Sequence, residues 1–160
     1  MSVYHPDDSQ PQSPEYWWGE ADDMFSDAKK AVSAGLTRKT VCNLLHGSIE
    51  RELKALLSEQ GRLTDGDRTH SLVALANRAG LMGSLPVDMR LYLHETSSLH
   101  SDASYPRADL QFHIWYDDAN YKAYIIMSGR TYRYLRGKRG KGGDADGGIG
   151  GGQEAGPDRT

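Results

Sequence analysis

A single stretch limits what this chain can fold into. Between Thr37 and Gly61, the residues Val41, Leu44, Leu45, Ile49, Leu53, Leu56 and Leu57 recur at steps of three and four. That spacing lines one face of an α-helix with apolar side chains. Thr37 offers its hydroxyl to an unpaired backbone N–H at the helix start, and Gly61 takes a left-handed stop without steric cost. Glu50 and Lys54 stand four apart in the favourable order. A helix apolar along one side is stable in water only when that side is buried against other helices. The rest of the chain must supply those helices.

Taken in order, it does. Ser13-Pro14-Glu15 reads as a helix start, with a capping serine, a proline at the first helical position and an acid in the first turn. Trp17, Trp18, Ala21, Met24, Phe25, Ala28, Ala31 and Val32 follow at helical spacing, and Gly35 ends the element. Asp22, Asp23, Asp27, Lys29 and Lys30 form its solvated face. After the central helix, Thr64-Asp65-Gly66-Asp67 makes a turn, and a shorter helix is predicted from about Thr69 to Ala79, stopped by Gly80. Gly83 and Pro86 mark the next start, and Met89, Tyr92, Leu93, Thr96 and Leu99 form the apolar side of a fourth helix. Asp102 to Pro106 breaks it, because proline disfavours helical geometry in the residue before it. Pro106 to Tyr116 is irregular, yet Phe112, Ile114 and Trp115 make it too apolar for a free loop. Asp117 or Asp118 caps a last helix, whose expected inner face is Ala119, Ala123, Tyr124, Met127, Thr131 and Tyr134. The fold class is all-α: an up-and-down bundle of four to five antiparallel helices joined by short connections.

The ends differ from this body. Residues 1–12 are polar and read as a flexible lead-in, the helical domain spans 13–136, and residues 137–160 are crowded with glycine and read as a disordered tail. The tail opens with the basic run Arg136-Gly137-Lys138-Arg139-Gly140-Lys141, which reads first as solubilising and second as a phosphate contact. The formal net charge is −3, so no global field draws nucleic acid to the chain, and any such contact needs a local patch. Cys42 is the only cysteine, which excludes an intrachain disulfide and fits a reducing cytoplasm. The polar N-terminus does not read as a signal peptide, and no apolar run approaches the roughly 20 residues that a bilayer span needs. The expected location is cytoplasmic, with no membrane partner.

Motifs for chemistry are sparse. No His-Glu-x-x-His or paired-cysteine spacing points to a metal, no glycine-rich loop points to a bound cofactor, and no nucleophile motif frames a serine. The expectation is therefore no metal and no cofactor.

Four pieces of sequence, in order, carry a family resemblance. They are Tyr16-Trp17-Trp18 with Ala21-Asp22-Asp23-Met24 and Ala28; Ser48-Ile49-Glu50-Arg51-Glu52-Leu53-Lys54-Ala55-Leu56-Leu57; Thr69-His70-Ser71-Leu72 with Leu75; and Ala103-Ser104-Tyr105-Pro106. Together they resemble the HEPN domain over about Tyr16 to Leu135. The first is similar to the family's aromatic opening and the second to its central helix signature. The third is similar to its Thr-His-x-Leu helix start and the fourth to its Ala-Arg-Tyr-Pro loop. The resemblance implies a helical bundle, usually a homodimer, that works on nucleotides or RNA, often beside a small nucleotidyltransferase in a toxin–antitoxin pair. It also implies, for many members, metal-independent RNA cleavage by an arginine and a histidine four to six residues apart. The arginine would hold a phosphate while the histidine shuttles a proton at a ribose 2′-hydroxyl.

Two departures shape the expectation. Ser104 stands where the family's loop has arginine, and His100 stands where an aromatic is expected. Arg107 and His113 have the catalytic spacing, and about one such pair arises by chance in a chain of this composition. Arg107 and His113 are the candidate catalytic residues; His100, Ser104, Tyr105 and Arg107 are the candidates for nucleotide or RNA binding. The reading favoured by net acidity and the missing loop arginine is a non-catalytic dimer that binds a nucleotide, an RNA or a nucleotidyltransferase-type partner. The alternatives are a metal-independent RNA endonuclease and a helical protein-interaction module.

Overall fold

The computed structural model describes residues 12–64, 67, 69, 71–100 and 117–141, with the side chains of 98–100 excepted. Five helices occur among the described residues, and no strand. They are α1 (Pro14–Ser33), α2 (Arg38–Glu59), α3 (Leu72–Arg78), α4 (Val87–His100) and α5 (Asp118–Arg136).

Local chemistry sets most boundaries. The Ser13 side chain accepts from the Tyr16 N–H and Pro14 opens α1, as its sequence predicts. The Thr37 side chain accepts from the Thr40 N–H to start α2. Gly61, just past the end of α2, has φ +66°, the left-handed conformation that favours glycine. The Asp117 carboxylate accepts from the N–H groups of Ala119 and Asn120 at the start of α5. The third helix is shorter than expected: Ser71 is its cap, and its first residue is Leu72 rather than Thr69. Thr69 instead accepts from the Ser71 N–H at 3.1 Å, a side-chain turn that competes with helix and delays its start.

Contacts between named residues give the topology. Glu20 faces Arg51 and Met24 faces Gly47, so α1 runs antiparallel to α2. Arg38 pairs with Asp118 near the starts of α2 and α5, and Glu52 is reached from Arg139 beyond the end of α5. The helices α2 and α5 are therefore parallel. Asp88–Arg130, Tyr92–Ser128 and Thr96–Tyr124 make α4 antiparallel to α5. Two helices up and two down form the bundle, with α3 as a short cross-piece against α2 and α4.

At the centre is α2, where 14 of 22 residues are buried. Its apolar side chains Val41, Leu45, Ile49, Leu53, Leu56 and Leu57 meet Leu72, Leu75, Met89, Tyr92, Leu93, Tyr124 and Leu135 in one core. On the α1 side a Cβ at residue 47 would overlap the end of Met24, so glycine lets the two helices close. The rotation of α5 differs from expectation. Tyr124, Ser128, Thr131, Tyr132 and Leu135 face inward, while Ala119 and Ala123 are exposed. Hydrogen bonds from Tyr92 to Ser128 and from Thr96 to Tyr124 reward turning the serine and tyrosine stripe inward. A reading by hydropathy alone underweights such residues.

Candidate functional site

The central signature contributes more polar than apolar novelty to the core. His46, Glu50 and Lys54 recur every four residues, which puts them in one row along α2, and all three are buried. Lys54 Nζ donates to Glu50 Oε1 at 2.7 Å and lies 5.5 Å from the centre of the Trp17 ring on α1. His46 Nε2 is 3.9 Å from Glu50 Oε2. On the other side of its ring, Nδ1 is 3.3 Å from the Thr96 hydroxyl of α4. That hydroxyl is 2.8 Å from the phenol of Tyr124 on α5. A second link joins Tyr92 to Ser128 at 2.6 Å. The result is a polar line through the bundle, from α1 across α2 and α4 to α5.

Its chemistry is that of a frame. Burial holds the phenols of Tyr92 and Tyr124 well above their ordinary range, so both stay protonated and serve as hydrogen-bonding groups. Burial likewise pushes the Cys42 thiol up to about 12, which leaves it an inert apolar filler. Among the described residues no three His, Cys, Asp or Glu side chains converge as metal ligands.

A second polar centre lies on another side of α2. Glu52 is 2% exposed and receives Arg139, from the turns that follow α5. Arg139 Nε donates to both Glu52 carboxylate oxygens, at 3.1 and 3.3 Å. Its Nη1 and Nη2 donate to Asp22 of α1 at 3.1 and 2.6 Å, and Nη2 also reaches Glu52. The Tyr132 hydroxyl donates to Asp22 as well. The Arg139 hydrogen bond holds the Asp22 carboxyl below its usual range. Burial holds Glu52 above its usual range, with Arg139 pulling the other way. The sequence reading placed this arginine in the tail and Asp22 on a solvated face. Neither residue carries a local signal of the other, since they are 117 positions apart.

The expected ligand segment, 102–113, lies outside the described residues. Ser104, Tyr105, Arg107 and His113 lie outside the described residues, and so does the side chain of His100, the last residue of α4. Before this segment the described backbone ends with α4, one turn beyond Thr96, and it resumes at Asp117, less than two helical turns before Tyr124.

Comparison with known families decides the identity of this bundle. A family model, described as the HEPN domain, matches residues 14–127. This chain belongs to the HEPN domain family. The match runs from the first residue of α1 well into α5, so it includes the polar line as far as Tyr124 and ends before Ser128 and Arg139. No curated protein and no solved structure matches this HEPN chain. No helix among the described residues is long and apolar enough to cross a membrane.

Proposed function

We propose that this HEPN protein is a non-catalytic binder of a phosphate-bearing ligand, a nucleotide or RNA, working as a homodimer through the segment 102–113. The observation that carries this is the closure of the charged signature on itself. Glu50 and Lys54 satisfy each other inside the bundle at 2.7 Å, which leaves Lys54 as part of the frame. Anion binding then falls to the segment 102–113 and to His100 just before it in sequence, with Arg107 as the main cation and His100, Ser104 and Tyr105 adding donors. Ser104 in place of the family's loop arginine favours binding over cleavage.

A charge-assisted hydrogen bond is worth about 1.5–3 kcal/mol. Arg107→Ala should therefore weaken nucleotide or RNA binding about ten- to a hundred-fold without unfolding the bundle, and Ser104→Arg should strengthen it. Titration calorimetry with nucleotides and short RNAs tests both, and binding unmoved by either change sinks the assignment. The alternative, a metal-independent RNase using Arg107 and His113, is favoured by their spacing alone. Expression of the intact chain separates the two, because an active RNase arrests its host and a binder does not.

The outer face of α4 and α5 supports the dimer. Val87 and Leu91 on α4 and Ile126 on α5 are each at least 60% exposed, and Ala119 and Ala123 lie exposed on α5 seven and three positions before Ile126. Exposed large and small apolar residues suit self-complementary helix packing between two copies. Ile126→Lys should shift the protein to monomer in light scattering; an unchanged dimer would place the interface elsewhere.

A further inference from the structure

The turns after α5 hold to the bundle in an unusual way. Leu135 is the last buried apolar side chain of α5, and residues 137–141 add none to the core. Gly137, Gly140 and Lys141 are exposed. Attachment to α1 and α2 rests on the Arg139 side chain and on one backbone bond, from the Gly140 N–H to Glu59 Oε1 at 3.0 Å, while the N–H groups of Gly137, Lys138 and Arg139 bond back to α5 and Lys138 lies over the Tyr134 ring. Gly140 has φ +78°, which only glycine adopts without strain, so the chain turns there freely. The contacts that the strap makes with α1 and α2 are thus few and polar, which permits them to open locally without global unfolding.

The seat that Arg139 occupies is built for a guanidinium. Asp22 takes Nη1 and Nη2 on two oxygens, Glu52 takes Nε on two oxygens, and the indole of Trp18 lies 5.8 Å from the guanidinium carbon. Two carboxylates in a fork geometry and an aromatic face discriminate arginine from lysine, whose ammonium is a point charge. Tyr132 fixes Asp22 from below by its own hydroxyl.

We propose that residues 137–141 are a detachable latch, in which Arg139 is the chain's own ligand for a guanidinium socket formed by Asp22, Glu52 and Trp18. When the latch is closed, the strap lies on α1 and α2. When it is open, the socket accepts an arginine side chain from another polypeptide. Acid favours the open state. The groups facing the socket are Asp22 on α1, Glu52 and Glu59 on α2, Tyr132 and Arg136 on α5, and Arg139 itself. Burial raises the Glu52 carboxyl while Arg139 lowers it, so Glu52 takes up a proton more readily once Arg139 leaves.

The test uses the full chain and a capped peptide copying residues 136–141. Wild type at neutral pH should show no saturable binding, because Arg139 fills the socket. Arg139→Ala, checked for helicity by circular dichroism, should bind the peptide and change Trp18 fluorescence. A peptide with lysine in place of both arginines should bind at least tenfold more weakly, and adding Glu52→Gln should remove the binding. Arg139→Lys is the companion variant: it keeps a cation over Glu52 and should show the same order of peptide affinities. The proposal is overturned if folded Arg139→Ala takes up no peptide, or if both peptides bind equally. It is also overturned if neither variant folds, since the strap would then be an inseparable part of the domain.

Discussion

Two glutamates stand two positions apart on α2 and solve the same problem differently. Both are buried carboxylates, at 4% exposure for Glu50 and 2% for Glu52. Glu50 meets Lys54 one helical turn away on its own helix. Glu52 meets Arg139, 87 positions along the chain. A buried ion needs a partner, because desolvation costs more than the local backbone can repay. The first partner arrives with the helix itself, and the second only with the finished tertiary structure. The family match contains the local solution and ends before the distant one. Domain boundaries drawn from family likeness can therefore separate the two partners of a buried ion pair.

The comparison breaks or holds on stability measurements. Removing the local cation should cost most. Lys54→Met takes the ammonium from a carboxylate at the core, and urea denaturation should show a loss of about 3 kcal/mol. Arg139→Ala should cost less, about 2 kcal/mol, because the side chain of Asp22 is 42% exposed and water reaches the vacated place. Equal losses would erase the distinction between the two sites. A smaller effect sharpens it within the polar line. Tyr124→Phe removes one hydroxyl from Thr96 and should cost about 1 kcal/mol, leaving Glu52 and Arg139 unaffected.

The smallest effect lies in the pH response. Glu52 has a raised folded value, so its proton uptake favours the folded state at low pH, and stability falls as pH rises above the ordinary 4.5 through that folded value. Asp22 has a lowered folded value, so its contribution is present above the ordinary 3.8 and is lost as pH falls below that. The two carboxylates around one guanidinium are therefore shifted in opposite directions, and their contributions to stability change oppositely with pH. Thermal midpoints recorded from pH 3 to 8 should show Glu52→Gln declining less than wild type as pH rises above 4.5. A steeper decline in the variant would contradict the burial of Glu52.

Legibility in the sequence followed the same division between near and far. Ser13 and Pro14, Thr37 and Gly61, and Asp117 each announce a helix boundary through groups within a few residues, and each boundary is where the sequence predicts it. Glu50 and Lys54 were legible as a pair for the same reason. The late start of α3 was not, because the Thr69 side chain can cap a helix or close a turn, and only the geometry at Ser71 decides. Tyr124 and Thr131 of the inward stripe of α5 are legible in the sequence, but Ser128 is hidden because it reads as polar, although α4 supplies its partner. Arg139 reads as tail from sequence, since glycine on either side of a basic run carries no trace of Asp22 or Glu52. The candidate ligand segment was placed by resemblance alone, from its Tyr105-Pro106 and the spacing of Arg107 and His113.

The span between Arg139 and its two carboxylates also has a kinetic meaning. The helices α1 and α2 are sequence neighbours joined by a tight turn at Gly35, so their contacts close small loops and form early. The Arg139 contacts close loops of 87 and 117 positions and should form after the main barrier has been crossed. Until then Glu52 sits at the joint of a hairpin without its cation. Interactions made after the barrier leave the folding rate nearly untouched and govern how fast the native state is lost. This one arginine, outside the family's own span, therefore acts on the lifetime of the folded protein rather than on the speed with which it is made.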